Sequence, residues 1–205
     1  LGLFLCAVPV VAAEKPAVLL VIANQDFFYR EYSDPKQELE KAGFRVEIAA
    51  GRKEICRPHA NSGQGSDGGN VTPTVALADV DMSKYEAIIF AGGWGASMYQ
   101  YAFQGKYDNG SYNGEQKIRE SANKLINEAI KGDKYVCGVC HGVSVLAWAR
   151  VNSKSVLDGK NVSAAALPGP AFSLNGKGQQ PASRGHSEIN GAKVVPSQSI
   201  GNPRT

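Results

Sequence analysis

KYVCGVCHGVSVLAW (134–148) is the stretch whose reading decides the fold. Tyr135, Val136 and Val139 favour extended backbone, so the first half reads as a strand. From His141 to Val151 the chain is largely apolar and reads as a helix directly behind it. Cys140 stands at the junction, with Gly138 and Gly142 on either side. A nucleophile between glycines where a strand turns into a helix is the thiol counterpart of the G-x-S-x-G elbow, whose sharp turn projects the side chain at the carboxyl edge of a sheet. The unsatisfied N–H groups and the positive dipole end of the helix favour thiolate over thiol, so a lowered Cys140 pKa is expected. Cys137 and Cys140 also form a C-x-x-C pair. With Cys137 in an extended strand, three residues of rise put the two Cα atoms about 10 Å apart, beyond the roughly 7 Å limit for a disulfide. Cys137 is therefore expected in the core, with a free thiol left at Cys140.

Upstream the same alternation recurs. AVLLVIA (17–23) is a continuous apolar run of strand length, as expected of a parallel strand covered on both faces. PKQELEKAG (35–43) reads as a helix with Asp34 as N-cap, Pro35 at its first position and Gly43 as its stop. FRVEIAA (44–50) and YEAIIFAGG (85–93) supply two more strands. Residues 51–80, rich in Gly, Asn, Ser and Pro, read as an irregular excursion. Between 115 and 131, Ile118, Ala122, Leu125, Ile126, Ala129 and Ile130 make an apolar stripe at helical spacing. Strand and helix in alternation mean an α/β fold with a mainly parallel sheet. Beyond Ala166 the chain reads as loop, with weak strands at NVSAAAL (161–167) and AKVV (192–195) and no closing helix.

Composition sets the outer bounds. The 205 residues are 43% hydrophobic and 20% charged with formal net charge +3, the mixture of one globular domain. No long block of one charge sign asks for nucleic acid, and no apolar run reaches the roughly 20 residues that cross a bilayer. LGLFLCAVPVVAA (1–13) reads as the remnant of a secretion signal, making the chain exported, periplasmic or extracellular. Read as a first buried strand instead, it leaves the protein cytoplasmic. Residues 14–205 form the single domain.

AVLLVIANQDFFYREYSDP (17–35), the strand-terminal AGGWG (91–95) and GVCHG (138–142) together resemble the ThiJ/PfpI superfamily, over about residues 17–165. The resemblance implies a flavodoxin-like three-layer sandwich of the class I glutamine amidotransferase-like kind, commonly a homo-oligomer, dimer or trimer. It implies a nucleophile at Cys140, an acidic partner at Glu31, four residues before Pro35, and oxyanion-holding amides at Gly93 and His141. The chemistry is coherent. Gly92 and Gly93 end a strand without side chains, letting amides approach a developing oxyanion, and a carboxyl beside a thiol shares its proton with it. The Cys-His-Gly order resembles the PfpI-like branch and implies an acid or base role for His141. No cofactor is implied.

The expected activity is that of a cysteine-dependent hydrolase or lyase acting on a small reactive carbonyl or its adduct, glyoxalase- or deglycase-like. The alternatives are a PfpI-like cysteine peptidase, a non-catalytic redox or stress sensor or chaperone, and an amidotransferase-like triad of Cys140, His186 and Glu188. Cys56 and His59 have half the spacing of a zinc site, but no second pair lies near, and no metal is expected. Trp94, Tyr99, Tyr101, Phe103 and Tyr107 follow the glycine turn as candidate pocket walls, subunit interface or core. Family members normally finish with a further strand and a covering helix. The chain stops at GNPRT, so the expectation is either a sheet that lacks an edge or a domain incomplete at its C-terminus.

Overall fold

The computed structural model describes residues 15–164 and 183–195. β1 (Ala17–Val21) is buried along its whole length, as a strand covered on both faces must be. β2 (Gln25–Phe27) leads into α1 (Tyr29–Lys41), and β3 (Arg45–Ala50) returns parallel to β1. β4 (Arg57–Pro58) pairs with β2 just past the carboxyl end of β1, and β5 (Val75–Ala76) extends the sheet beside β3. β6 (Ala87–Phe90) pairs with the other side of β1, α2 (Gln116–Lys131) follows, and β7 (Tyr135–Gly138) pairs with β6. α3 (Gly142–Trp148) starts at once. β8 (Arg150–Val151) and β9 (Lys154–Ser155) make a small antiparallel pair, and β10 (Asn161–Val162) lies parallel to β11 (Lys193–Val194), which follows α4 (Ser183–Ile189).

The main sheet has the order β5-β3-β1-β6-β7, all parallel. Chain order steps one way from β1 to β3 and the other way from β6 to β7. Right-handed crossovers in opposite directions put α1 and α2 on opposite faces, which makes the flavodoxin-like three-layer sandwich. The direction changes between β1 and β6, and the crevice outside their carboxyl ends is where such sheets bind ligands. The loops after β1, β6 and β7 all open there. On the α2 face the stripe Ile118, Ala122, Leu125, Ile126 and Ala129 is buried as expected, while Ile130 is exposed.

Several local expectations change. α1 begins at Tyr29, six residues before Pro35, so Asp34 is inside the helix and does not cap it. Asp34 pairs with Arg30 one turn back, at 3.0 Å. Pro35 lies in the helix interior, where it cannot donate to the Glu31 carbonyl and its ring crowds that carbonyl. α3 stops at Trp148 because Ala149 is already extended. Cys137 is exposed, not core: it lies on the same face of β7 as Tyr135, which is 75% exposed. Residues 183–189 are helical where a loop was expected. The buried face of α4 is Ser183, His186 and Ser187, an i, i+3, i+4 pattern made of polar side chains, so it carries no hydrophobic signal. The secretion-signal reading of residues 1–13 lies outside the described residues.

Candidate active site

The elbow forms as the glycines require. Gly142 lies so close to the Phe90 carbonyl that a Cβ would overlap it. Cys140 adopts φ 50, a left-handed conformation that costs a non-glycine residue about 1 kcal/mol or more. The turn is held by Gly142 N–H donating to the Val139 carbonyl at 2.7 Å and Val143 N–H donating to the Cys140 carbonyl at 3.2 Å. The result is an exposed thiol at the carboxyl end of β7. Exposure of Cys140 and the geometry of the bend follow directly from GVCHG.

Glu31 comes to the sulfur from the first turn of α1. Its Oε2 is buried without a hydrogen-bond partner and lies against Gly92, where any side chain would overlap it. A Cβ on Gly92 would also press on the Val139 carbonyl and the His141 N–H, at 2.7 and 2.8 Å. The absence of a side chain at Gly92 is thus what lets the β6 turn, the elbow and Glu31 meet. Gly93 has φ +85 and is packed against the backbone of residues 26–28. Glu31, Gly92, Gly93, Cys140 and His141 are all brought together.

Electrostatics reverse one expectation. Burial, followed by the adjacent Glu31 carboxylate, pushes the Cys140 thiol up to about 11, against the pull of the His141 and Gly93 amides. The helix start is outweighed by desolvation and a like charge. Glu31 is itself held above the ordinary carboxylate range, chiefly by burial, with the Cys140 thiol and the Gly92 amide pulling it down. Two acids that each resist ionisation beside the other titrate as a pair.

His141 is 3% exposed. Its Nε2 is 2.9 Å from Ser97 Oγ, and its ring packs against Trp94 and His186 at centroid separations of 5.2 and 5.3 Å. Gln100 Nε2 donates to Ser144 Oγ at 2.8 Å, and Ser144 Oγ donates to the His141 carbonyl at 2.7 Å. His186 accepts from Trp148 Nε1 at 2.8 Å and is completely buried. Burial, followed by His141, pushes it down to about 2, so it is neutral at ordinary pH. Glu188 is exposed and paired with Arg184 at 2.8 Å, and it does not orient His186. The Cys140, His186, Glu188 triad is therefore not assembled: His186 Nδ1 serves Trp148, and Glu188 faces solvent.

A cavity of about 250 Å³ opens on the sulfur, lined by Phe28, Glu31, His59, Gly93, Trp94, Cys140, His141 and Ser183. Trp94 lines this cavity, whereas Tyr99, Phe103 and Tyr107 are core and Tyr101 is exposed. His59 was weighed in the sequence only as half a metal site. Its place follows from topology, since the excursion after β3 leaves from the carboxyl edge that carries the elbow. Among the described residues no group of three His, Cys, Asp or Glu side chains is placed to hold a metal, and no helix is long and apolar enough to cross a membrane.

Comparison with known proteins places this geometry. Residues 16–102 match the DJ-1/PfpI family profile, a stretch that holds Glu31, Gly92 and Gly93 and ends before Cys140. An uncharacterized protein of Methanocaldococcus jannaschii is 28% identical over 134 residues, 65% of this chain and 54% of that one, so the chain spans about half the length of that relative. A ThiJ/PfpI domain protein from Brachyspira murdochii superposes with a TM-score of 0.62 at 19% identity, covering 89% of this chain and 81% of that one. Glyoxalase III from Candida albicans superposes with a TM-score of 0.61 at 14% identity, covering 90% and 84%. Those two likenesses carry the fold alone, and the profile match, confined to residues 16–102, makes the sequence around Glu31 and the glycine turn similar to that of the DJ-1/PfpI family.

Proposed function

We propose that the protein is a cysteine-dependent, glyoxalase-like enzyme acting on a small reactive carbonyl or its adduct. The observation that carries this reading is the buried Oε2 of Glu31 beside the Cys140 thiol, in a cavity that opens on the sulfur. A carboxyl kept above its ordinary range is suited to exchange a proton with a thiol that is reluctant to ionise alone. Cys140 Sγ adds to the aldehyde carbon, forming the C–S bond while the carbonyl electron pair moves to oxygen. The Gly93 and His141 amides stabilise that oxygen, and Glu31 takes the thiol proton and returns it to the oxyanion. Phe28 and Trp94 form apolar wall around the adduct.

The cavity, at about 250 Å³, is smaller than ordinary drug-sized sites. That favours a carbonyl compound of a few carbons over a peptide. The fold is shared with a solved structure described as a glyoxalase III, which agrees with the reading without supplying it. A redox sensor is the second reading, favoured by the exposure of Cys140, and it predicts peroxide oxidation with no turnover. The test is conversion of methylglyoxal to lactate by the wild type and by Cys140→Ser. Turnover that falls about 10³-fold or more in the variant supports the proposal. Equal turnover in both, or none in the wild type, overturns it.

A further inference from the structure

We infer that His59 is a second catalytic group of this site, an imidazole acid/base whose Nε2 works on the adduct formed at Cys140. The inference rests on the reading above and assigns the proton transfer that follows carbon–sulfur bond formation. His59 lines the same cavity of about 250 Å³ as Cys140 and Glu31. Its Nδ1 is 2.7 Å from the Ala60 carbonyl oxygen. A carbonyl can only accept, so Nδ1 carries the hydrogen and neutral His59 presents a basic Nε2. Nε2 has no hydrogen-bond partner among the described residues, and it is the ring atom left to meet a ligand. His141 is placed differently: its Nε2 is engaged with Ser97 and its ring is buried.

The backbone under His59 is fixed. His59 N–H donates to the Phe27 carbonyl at 2.8 Å, and the His59 carbonyl accepts from Ser62 Oγ at 2.7 Å and from Gln64 Nε2 at 3.0 Å. Ser62 Oγ in turn accepts from Tyr29 N–H at 3.0 Å, which ties the excursion to the start of the helix bearing Glu31. The His59 backbone is therefore tied to β2 and, through Ser62, to the start of α1, the helix that carries Glu31. The charged and titratable groups around it are Glu31, Cys140 and His141 on the cavity wall, Arg57 of β4, two residues before it, and Arg30 of α1, which packs on Gly63 and pairs with Asp34.

The step balances. With a 2-oxoaldehyde, the Cys140 adduct is a hemithioacetal beside a ketone. His59 Nε2 removes the hydrogen on the sulfur-bearing carbon, and the electron pair of that C–H bond forms a carbon–carbon double bond while the ketone π electrons move to oxygen. The imidazolium returns its proton to the former ketone carbon as the hemithioacetal O–H bond breaks, its electron pair forming the C=O of a thioester and its proton passing to the former ketone oxygen. Water then adds, the C–S bond breaks, Cys140 recovers its proton, and a 2-hydroxy acid leaves. One aldehyde and one water are consumed, with no external oxidant or reductant.

The experiment uses the full chain with His59→Gln and His59→Gly, and two readouts. The first is methylglyoxal turnover: kcat is expected to fall about 10²–10⁴-fold in both variants, with part of it restored to His59→Gly by free imidazole. The second is the pH profile of iodoacetamide alkylation, mapped to the Cys140 peptide. A charged ring across the cavity accelerates alkylation by about two- to fivefold, so the wild-type and His59→Gln profiles should differ by that factor over part of the pH range. Turnover within about twofold of wild type, or a loss that imidazole does not rescue together with an unchanged alkylation profile, overturns the inference. If the wild type converts no methylglyoxal, the substrate reading fails, and the alkylation profile alone decides whether His59 addresses Cys140.

Discussion

Glu31→Gln should make Cys140 more reactive and the enzyme less active. The carboxylate is the second-largest cause of the raised thiol, after burial, and the glutamine removes that charge while keeping the shape that fills the space beside Gly92. Two charges about 4 Å apart interact by roughly 1 kcal/mol in water-like surroundings and about 4 kcal/mol at an effective dielectric near 20. Taken near the lower end, about 1–1.4 kcal/mol, this is roughly tenfold more thiolate at any pH below the thiol pKa. A less basic thiolate is also a weaker nucleophile, with a Brønsted slope of about 0.4–0.5, which takes back roughly threefold. Alkylation of Cys140 at pH 7.5 should therefore run about threefold faster in Glu31→Gln, read by iodoacetamide labelling and peptide mapping. Turnover should fall about 10²-fold or more, because glutamine cannot shuttle the proton. Slower alkylation in the variant, or faster alkylation with undiminished turnover, would refute the reasoning.

The same substitution should raise thermal stability at neutral pH. Glu31 is raised in the folded state, so the stability it contributes is present below its unfolded value and lost as pH rises through its folded value. Glu31→Gln should melt a few degrees higher than wild type at pH 7.5, and the difference should shrink toward pH 4. His186 works the opposite way: it is lowered to about 2 when folded, so the unfolded chain alone takes up its proton between about 6.5 and 2. Melting temperature should decline as pH falls below about 6.5, and less steeply in His186→Phe. That variant should also lose about 1–3 kcal/mol at pH 7.5 by denaturant titration, because it leaves the Trp148 indole N–H without its acceptor. Gly142→Ala should destabilise by about 1–3 kcal/mol or more, by the same titration, because its Cβ meets the Phe90 carbonyl.

The elbow was legible because its signal is local: a β-favouring run, two glycines and an apolar helix, in that order. β1, β3 and β6 were legible as apolar or alternating runs of strand length. The start of α1 was not. Pro35 and Asp34 imitate a helix start, and the true first turn, Tyr29 to Tyr32, is recruited by packing and by Ser62 reaching the Tyr29 N–H. Glu31 was found through family register and not through any periodicity. The Cys140 titration was misjudged because a dipole can be read from sequence, whereas burial and the distance of a carboxylate depend on the folded loops. Cys137 reads as core because an extended strand holds it too far from Cys140 for a disulfide, yet β7 exposes Tyr135 and Cys137, since separation from Cys140 says nothing of which strand face is covered. α4 stayed hidden because its buried face is serine and histidine. His59 was visible as a histidine but not as a site residue, since its role depends on where a long irregular segment crosses the sheet edge.

The central claim is that carbon–sulfur bond formation at Cys140 begins the reaction, and ¹³C NMR of methylglyoxal labelled at its aldehyde carbon, bound to the protein, tests it most directly. The wild type should show a resonance of a carbon bonded to sulfur that is absent from Cys140→Ser, with both variants equally folded. The same bound signal in both proteins, or no sulfur-bonded carbon while the wild type turns the substrate over, would contradict it.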